Sequence, residues 1–356
     1  MKKINFFNIS GLLLMYTLCL GGCYSAKEKV TNTSDAKTAV STPNNPEKYA
    51  ATITSEELKE HLYIFASDSM QGRFTGSEGQ KKAAEYIVDF YKKEGIAGPT
   101  QEANAHFQSI PASYFTRSRN AADSENVLGF IKGSEFPDEV IVLSAHYDHV
   151  GVDKDGNVFN GADDDGSGSM ALLEIAEAFN QAAKEGKGPR RSVLILHVTG
   201  EEIGLYGSKY YTDNPIFPLA NTVANLNIDM IGRIDPDKGT NDNYVYLIGS
   251  DRLSMELHQV SEKVNEQFVQ MELDYKYNAP NDPNRFYFRS DHYNFAKNNI
   301  PVIFYFNGVH EDYHKITDTP DKIEYDLLAK RAQLIFHTAW ELANRDERIK
   351  LTENQD

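Results

Sequence analysis

Glu139-Val-Ile-Val-Leu-Ser-Ala-His146-Tyr-Asp148 is the stretch that decides the fold. Apart from one serine, residues 140–145 are all apolar, and such a run indicates a strand that is buried on both faces of a sheet. A histidine and an aspartate follow where the run ends. In parallel sheets, functional groups gather just past the carboxyl ends of the strands. The stretch therefore predicts both a buried parallel sheet and a site at one edge of it.

The same pattern recurs along the chain, with buried strands that alternate with helices. We predict strands at 126–131, 139–145, 192–199, 222–230, 244–248 and 301–306. We predict helices that begin near 54, 79, 168, 253 and 325, and the first of them carries a capping box made by Thr54 and Glu57. This order indicates an α/β fold, a three-layer sandwich with a central, mostly parallel mixed β-sheet flanked by helices.

Carboxylates and imidazoles follow four of these strands and also precede one helix. They are His146 and Asp148, Glu201 and Glu202, Asp229, His310 and His314, and the aspartate loop Gly161-Ala-Asp163-Asp164-Asp165-Gly-Ser-Gly168. Imidazole combined with carboxylate is typical of zinc, whereas sets of oxygen ligands alone suit magnesium or calcium. Paired metal ions lie about 3.5–4 Å apart and need a bridging carboxylate, which the aspartate loop suits.

These segments resemble the double-zinc aminopeptidases of metallopeptidase family twenty-eight. The matching segments, which occur in the family's order, are 144–151, 161–168, 200–208, 227–233, 290–293, 308–314 and 318–323. The resemblance runs from about Thr54 to the final helix, and it implies the zinc exopeptidase form of the sandwich. It also implies an aminopeptidase that hydrolyses the N-terminal peptide bond of peptides.

The resemblance implies two zinc ions and assigns their five ligands in this sequence. His146 and Asp229 are expected to hold one ion, while Glu202 and His314 are expected to hold the other. Asp164, the middle aspartate of the loop, is expected to bridge them.

Further roles follow from the same resemblance. Glu201 is expected to act as the general base, taking a proton from the attacking water and returning it to the leaving amine. Asp148 is expected to orient the imidazole of His146. Tyr313 is expected to donate a hydrogen bond to the tetrahedral oxyanion. The peptide bond that enters Asp165 is cis in the family.

Other interpretations of the same residues remain open. His310-Glu-Asp-Tyr-His314 matches the zincin pattern H-E-x-x-H, which requires a helix so that both histidines share a face. Because the pentad follows a strand and Gly308, and Pro320 comes soon after, we interpret it as a chance match. A glutaminyl-peptide cyclase of the same fold with one zinc, and a non-catalytic binding protein, are further alternatives. We interpret four other acidic or histidine residues as structural: His149, His197, Asp291 and His292.

The amino terminus has the layout of an export signal. Lys2 and Lys3 precede an apolar segment at 12–20 that is too short to span a bilayer permanently. The segment closes with Leu20-Gly-Gly-Cys23, which resembles the bacterial lipobox, although an ordinary signal peptide is an alternative. We predict that 1–22 is a lipoprotein signal peptide and that Cys23 is lipidated. The protein is then exported and anchored to a membrane, at the periplasmic face or the cell surface.

The rest of the chain divides into a tether, a domain and a tail. Residues 23–50 lack apolar periodicity and are predicted to be a flexible tether, 51–348 a single zinc peptidase domain, and 349–356 a polar tail. The net charge of −16, or −18 once the two lysines of the signal are removed, argues against nucleic acid as a partner. The expected partners are peptide substrates and, through the anchor, a membrane. No sequence feature indicates an oligomeric state.

Overall fold

The computed structural model describes residues 45–100, 102, 105–118 and 120–352. Its strands are β1 (Phe107–Ile110), β2 (Ser124–Ile131), β3 (Phe136–His146), β4 (Gly151–Val152), β5 (Val158–Phe159), β6 (Arg191–Val198), β7 (Thr222–Ile228), β8 (Tyr244–Ile248), β9 (Glu272–Asp274) and β10 (Val302–Phe306). Its α-helices are α1 (Pro46–Ala50), α2 (Ser55–Phe65), α3 (Glu78–Glu94), α4 (Gly168–Lys184), α5 (Tyr206–Asp213), α6 (Met255–Val264), α7 (His292–Ala296) and α8 (Tyr325–Asn344).

Eight of the described strands form one mixed sheet, in the order β1-β2-β6-β3-β7-β10-β8-β9. The central strands are parallel, because β3 pairs in parallel with β6 and β7, and β7 with β10. Antiparallel pairing joins β1 to β2, β2 to β6, and β8 to β10. The prediction of a mostly parallel mixed sheet is confirmed.

The apolar run of β3 is explained by helices on both faces of the sheet. Leu143 belongs to a large apolar cluster that includes Trp340 of α8, together with side chains of α2, α3 and α4. Its neighbour Val142 belongs to a second cluster that includes Tyr211 of α5 and Phe295 of α7. Successive side chains of a strand point to opposite faces, so a strand covered on both faces has no polar side to alternate with.

The longer predicted elements are present, with ends shifted by a few residues. The predicted cap of α2 by Thr54 is present, since its hydroxyl accepts a hydrogen bond from the amide of Glu57 at 3.2 Å and donates one to the Glu57 carboxylate at 2.9 Å. β7 ends one residue before Asp229, which therefore lies just past the strand. The short elements β1, β9, α5 and α7 were missed, because three to eight residues are too few to establish a period.

The folded region extends past the predicted limits of 51 and 348. Tyr49 of α1 is fully buried, and its ring stacks on Trp340 with centroids 5.6 Å apart. At the other end Ile349 is buried, and the Ser254 hydroxyl donates to the main-chain oxygen of Lys350 at 2.6 Å. Isolated buried residues such as Tyr49 and Ile349 create no hydrophobic periodicity in the sequence. The predicted boundaries, which relied on composition, therefore left them in the tether and the tail.

Other predictions for the termini concern residues that lie outside the described ranges. They are the signal peptide at 1–22, lipidation of Cys23, the tether as far as 44, and the last four residues of the tail. Within the described part of the chain, none of the helices combines the length and apolarity that crossing a bilayer requires.

Candidate metal centre

The carboxyl ends of four neighbouring parallel strands meet at one edge of the sheet, the rim. β3 ends at His146, β6 leads to Glu201 and Glu202, β7 to Asp229, and β10 to the turn that carries His314. The loop before α4 adds Asp164. The five residues predicted as metal ligands are thus brought together, as the order of the strands requires.

Asp164 lies between the two histidines of this cluster. Its Oδ1 is 3.1 Å from Nε2 of His146, and its Oδ2 is 3.0 Å from Nε2 of His314. Oδ1 of Asp229 lies 3.7 Å from Nε2 of His146. Oε2 of Glu202 lies 3.1 Å from Nε2 of His314. A carboxylate whose two oxygens face different imidazoles has the arrangement of a bridging ligand.

The cluster fits zinc on the chemistry of its donor atoms. Oδ2 of Asp164, Oε1 of Glu202 and both ring nitrogens of His149 are buried and have no hydrogen-bond partner. Buried polar atoms are nearly always hydrogen-bonded, so several unpartnered ones in a single cluster point to an ion. A set that mixes imidazole with carboxylate is the set that zinc prefers.

Among the described residues, two groups of three side chains could each hold an ion, because their ligand atoms lie within 4.8 Å of one another. The groups are His146, Asp165 and Asp229, and His149, Asp164 and Glu202. His149 was predicted to be structural, yet its Nδ1 lies 2.7 Å from Oε1 of Glu202. Its ring also packs edge-on against His314, with centroids 5.8 Å apart. The signal that could have identified it is its place at the end of β3, directly after Asp148.

Asp165 also fixes the rim through hydrogen bonds to the main chain. Its carboxylate accepts hydrogen bonds from the main-chain amides of His146 at 3.2 Å, Gly168 at 2.9 Å and Met230 at 3.1 Å. These bonds tie the end of β3, the start of α4 and the segment after β7 to one side chain. The peptide bond between Asp164 and Asp165 is cis, as the resemblance implied.

Arg73 is a buried cation next to the aspartate loop, and it was not singled out from the sequence. Its guanidinium donates to the main-chain oxygens of Phe65 at 3.0 Å, Tyr147 at 3.0 Å, Asn160 at 2.7 Å and Gly161 at 2.8 Å. Burial lowers its pKa to about 10, although nearby carboxylates oppose the shift. Since all four acceptors are main-chain atoms, no partner residue could have revealed this role in the sequence.

Glu201 lines the pocket beside the ligands, together with Asp164 and Asp229. Burial raises the pKa of Glu201 well above its usual range. The imidazole of His146 opposes that shift, whereas the carboxylates of Asp229 and Glu202 add to it. A carboxyl group with a raised pKa can accept a proton and later release it near neutral pH.

The position of Asp148 differs in detail from its predicted role. Nδ1 of His146 lies 3.0 Å from the main-chain oxygen of Asp148 and 3.8 Å from its carboxylate. That carboxylate instead accepts hydrogen bonds from the Glu201 amide at 3.2 Å and the Thr75 hydroxyl at 2.8 Å. Asp148 therefore orients His146 mainly through its main-chain oxygen, because its carboxylate is engaged in fixing Glu201.

Tyr313 also lines this pocket, and its ring stacks on His314 with centroids 4.0 Å apart. Burial raises the pKa of Tyr313, and the carboxylate of Asp164 raises it further. A neutral phenol can donate a hydrogen bond, and this one lies in the pocket that Glu201 also lines.

The H-E-x-x-H pentad does not form a zincin site. Residues 310–314 form a turn and not a helix, and Glu311 is exposed. Nε2 of His310 lies 3.0 Å from a carboxylate oxygen of Asp163, whereas His314 faces the metal ligands. The interpretation of the pentad as a chance match is confirmed.

Other polar side chains lie outside both ligand groups. His197 is within hydrogen-bonding distance of the Tyr91 hydroxyl at 2.7 Å, and His292 stacks on Phe304 with centroids 4.8 Å apart. Burial lowers the pKa of each imidazole to about 3. Asp291 accepts a hydrogen bond from Ser208, and burial raises its pKa to about 7.

Solved structures with this fold include aminopeptidases of two bacteria. The LapA aminopeptidase of Legionella pneumophila superimposes with a TM-score of 0.64 at 19% identity, over 85% of this chain and 76% of that one. BSAP, a zinc aminopeptidase from Bacillus subtilis, superimposes with a TM-score of 0.62 at 16% identity, over 85% of this chain and 98% of that one. At these identities the likeness establishes the fold, the zinc exopeptidase sandwich.

Sequence comparison identifies the family. A probable zinc metalloprotease of Pyrenophora teres f. teres is 30% identical over 208 residues, which are 56% of this chain and 39% of the relative. A probable glutamate carboxypeptidase, LAMP1, of Arabidopsis thaliana is 37% identical over 109 residues, which are 30% of this chain and 15% of the relative. The match thus spans less than half the length of either relative.

The model of peptidase family M28 matches residues 126–339, more than half of the chain. The chain belongs to peptidase family M28.

Proposed function

We propose that this protein is a zinc-dependent aminopeptidase that hydrolyses the N-terminal peptide bond of peptides. One observation carries the proposal: the two carboxylate oxygens of Asp164 face His146 and His314, and Asp229 and Glu202 complete the cluster. His146 and Asp229 are proposed to hold one zinc ion, Glu202 and His314 the other, and Asp164 both. Bound zinc supplies a Lewis acid that polarises the peptide carbonyl and lowers the pKa of water.

The residues around the ligands would move the proton and stabilise developing charge. Glu201 takes a proton from the attacking water and delivers it to the leaving amine, for which its raised pKa is suited. The hydrogen bond from the Glu201 amide to Asp148 holds the segment that carries the base. Tyr313 donates a hydrogen bond to the oxyanion of the tetrahedral intermediate.

The acidic character of the rim supports cleavage at the amino end of a peptide. Glu201 and Asp229 line the same pocket as Asp164, and such carboxylates can bind the α-ammonium group of a substrate. The superimposed structures from Legionella pneumophila and Bacillus subtilis are of aminopeptidases, which also supports this choice. The Arabidopsis relative is a probable glutamate carboxypeptidase, and substrates with free and blocked amino termini distinguish the two exopeptidase types.

Aminoacyl p-nitroanilides and their N-acetylated counterparts, assayed side by side with zinc supplied, test the proposal. We expect turnover of the free aminoacyl compounds only, and two zinc ions per chain by elemental analysis. Cleavage of the acetylated compounds alone would rule out an aminopeptidase. One zinc ion with cyclisation of an N-terminal glutamine would instead identify a cyclase. The absence of turnover on a broad peptide panel would favour a binding protein.

We further propose that the enzyme is exported and anchored through a lipid on Cys23. The support is the sequence Leu20-Gly-Gly-Cys23 at the end of an apolar segment that Lys2 and Lys3 precede. Expression with radiolabelled palmitate should label the wild-type protein and leave Cys23→Ala unlabelled, and the variant should be absent from washed membranes. Labelling of both proteins would contradict the proposal.

A further inference from the structure

The pocket next to the metal ligands has one positively charged residue among its described lining, Arg289. The other charged groups in that lining are carboxylates of the metal centre, including Glu201 and Asp229. The rest is apolar apart from the phenol of Tyr313, with aromatic side chains such as Phe286 and Phe306. A single cationic side chain in such a lining offers a place where a negatively charged group of a ligand can bind.

The guanidinium of Arg289 is free to bind such a group. Within the described chain it forms no ion pair and no side-chain hydrogen bond, and its central carbon lies 5.0 Å from the ring centre of Phe286. Arg73 and Arg331, by contrast, are buried and donate to main-chain oxygens. Stacking on an aromatic ring restrains an arginine but leaves its N–H groups available, because the ring contacts the face of the guanidinium and not its edge.

The main chain at Arg289 is fixed relative to the metal ligands. The hydroxyl of the next residue, Ser290, donates to Oδ2 of Asp229 at 2.6 Å. The side-chain amide of Asn227 in turn donates to the Ser290 hydroxyl at 2.8 Å. Two hydrogen bonds thus connect β7 and a predicted zinc ligand to the residue beside Arg289. The main chain that carries the exposed Arg289 side chain is therefore held at a defined position next to a predicted zinc ligand.

We propose that Arg289 binds a carboxylate of the substrate, so that the enzyme favours peptides with a carboxylate close to the scissile bond. This inference rests on the peptidase function proposed above. A guanidinium binds a carboxylate through two parallel charge-assisted hydrogen bonds. Among the described side chains that line the pocket, Arg289 is the one that can supply this contact. The carboxylate is either the C-terminus of a dipeptide or an acidic side chain.

Two matched pairs of substrates separate these sources. Leu-Gly and Leu-Gly-amide differ only in the C-terminal charge, whereas Glu-Gly-amide and Gln-Gly-amide differ only in the side-chain charge. For Arg289→Gln we expect kcat/KM to fall about 10- to 100-fold for the charged substrate of at least one pair. This is the loss typical of removing a hydrogen bond to a charged group. The neutral member should be unaffected. Arg289→Lys should retain part of the preference, because it keeps the charge but not the two parallel bonds.

Arg285→Gln is the matched control. Arg285 stands at the other end of the same short turn, stacks on Phe288 at 5.1 Å, and lines a different pocket. The Arg285→Gln variant should leave kcat/KM unchanged for all four substrates. The proposal is overturned if Arg289→Gln lowers both members of each pair equally, or alters neither, in an enzyme that cleaves the neutral amides. If the zinc-loaded wild type cleaves none of the four substrates, the peptidase function fails, and this inference fails with it.

Discussion

Nδ1 of His149 lies 2.7 Å from Oε1 of Glu202, yet neither atom finds a hydrogen-bond partner. The same nitrogen is 3.8 Å from Oδ2 of Asp164, which is also unpartnered. Two unpartnered carboxylate oxygens beside an unpartnered imidazole are the arrangement expected around a cation. His149 is therefore placed to stabilise the ion that Glu202 and His314 are proposed to hold.

His149→Ala should weaken the binding of one of two zinc ions about 10- to 100-fold, the range found when supporting groups around a metal are removed. The second ion should bind as in the wild type. Competition titration with a chromogenic zinc chelator measures both constants. His197→Ala is the control, since it also removes a buried imidazole but one bonded to Tyr91 outside both ligand groups. Equal zinc affinities in His149→Ala and the wild type would contradict the prediction.

Glu201→Gln should lower kcat about 10²- to 10⁴-fold, because glutamine keeps the size of the side chain but cannot accept the proton. Its zinc content should match that of the wild type. Steady-state kinetics on an aminoacyl p-nitroanilide, with elemental analysis of the same samples, measures both. Glu311→Gln alters an exposed acid of the H-E-x-x-H pentad and should keep most activity. Loss of activity in Glu311→Gln with retention in Glu201→Gln would reverse the assignment.

Removal of zinc should lower the thermal stability of the protein. Asp164, Glu202 and Asp229 converge on one cluster, and without a cation their like charges repel one another. Zinc that binds the folded state only should raise stability by about 2.7 kcal/mol at a free concentration one hundred times Kd. Thermal unfolding after chelation, and then with rising zinc, tests this. Magnesium is the control and should restore little. A Tm that does not respond to zinc would contradict the proposed centre.

The sequence predicts the rim well because a parallel sheet imposes its location. In β3 the apolar run ends at His146, and the neighbouring strands end with acids in the same way. Once the strands are parallel neighbours, their ends must coincide, whatever the distance between them along the chain. Asp229 therefore meets His146 for reasons that local patterns already contain.

Other features depend on contacts that leave no local pattern. Arg73 bonds only to main-chain oxygens, so nothing in the sequence distinguishes it from a surface arginine. Tyr49 is buried because Trp340, nearly three hundred residues later, packs on it. His149 can be identified as part of the metal centre only from its distance to Glu202, since a lone histidine in a sequence is more often structural. Tertiary geometry was required for all three.

Arg73→Met should destabilise the folded state by about 3–5 kcal/mol, because several buried main-chain oxygens lose a donor and each unsatisfied buried acceptor costs about 1–3 kcal/mol. The substitution removes a donor from four main-chain oxygens, including that of Gly161 at the start of the aspartate loop. Urea unfolding of the zinc-loaded protein measures the change. Arg73→Lys should also be destabilised, because one ammonium group cannot reach all four oxygens. Arg285→Met replaces an exposed arginine and should leave stability unchanged. Wild-type stability in Arg73→Met would contradict this role.

Glu341 of α8 is a buried acid outside the metal centre. Its side chain is 7% exposed, and its Oε2 has no hydrogen-bond partner. Burial raises the pKa of Glu341 to about 7, although Arg345 and Lys263 oppose the shift. The pKa of a glutamate in an unfolded chain is about 4.3, the value found in unperturbed model peptides. Between these values the folded state binds a proton that the unfolded state does not, so this residue lowers stability as pH rises through that interval.

Glu341→Gln removes that penalty, because glutamine does not ionise. The difference in the free energy of unfolding between the variant and the wild type should be more favourable to the variant at pH 8.5 than at pH 5.5, by about 1–2 kcal/mol. This figure follows from 1.36 kcal/mol for each unit of pKa shift that falls between the two pH values. Urea unfolding at both pH values measures the difference. Asp326→Asn removes an exposed acid from the first turn of the same helix and should show no such dependence. If Glu341→Gln differs from the wild type by the same amount at both pH values, Glu341 is ionised in the folded state throughout this range, and burial does not control its charge.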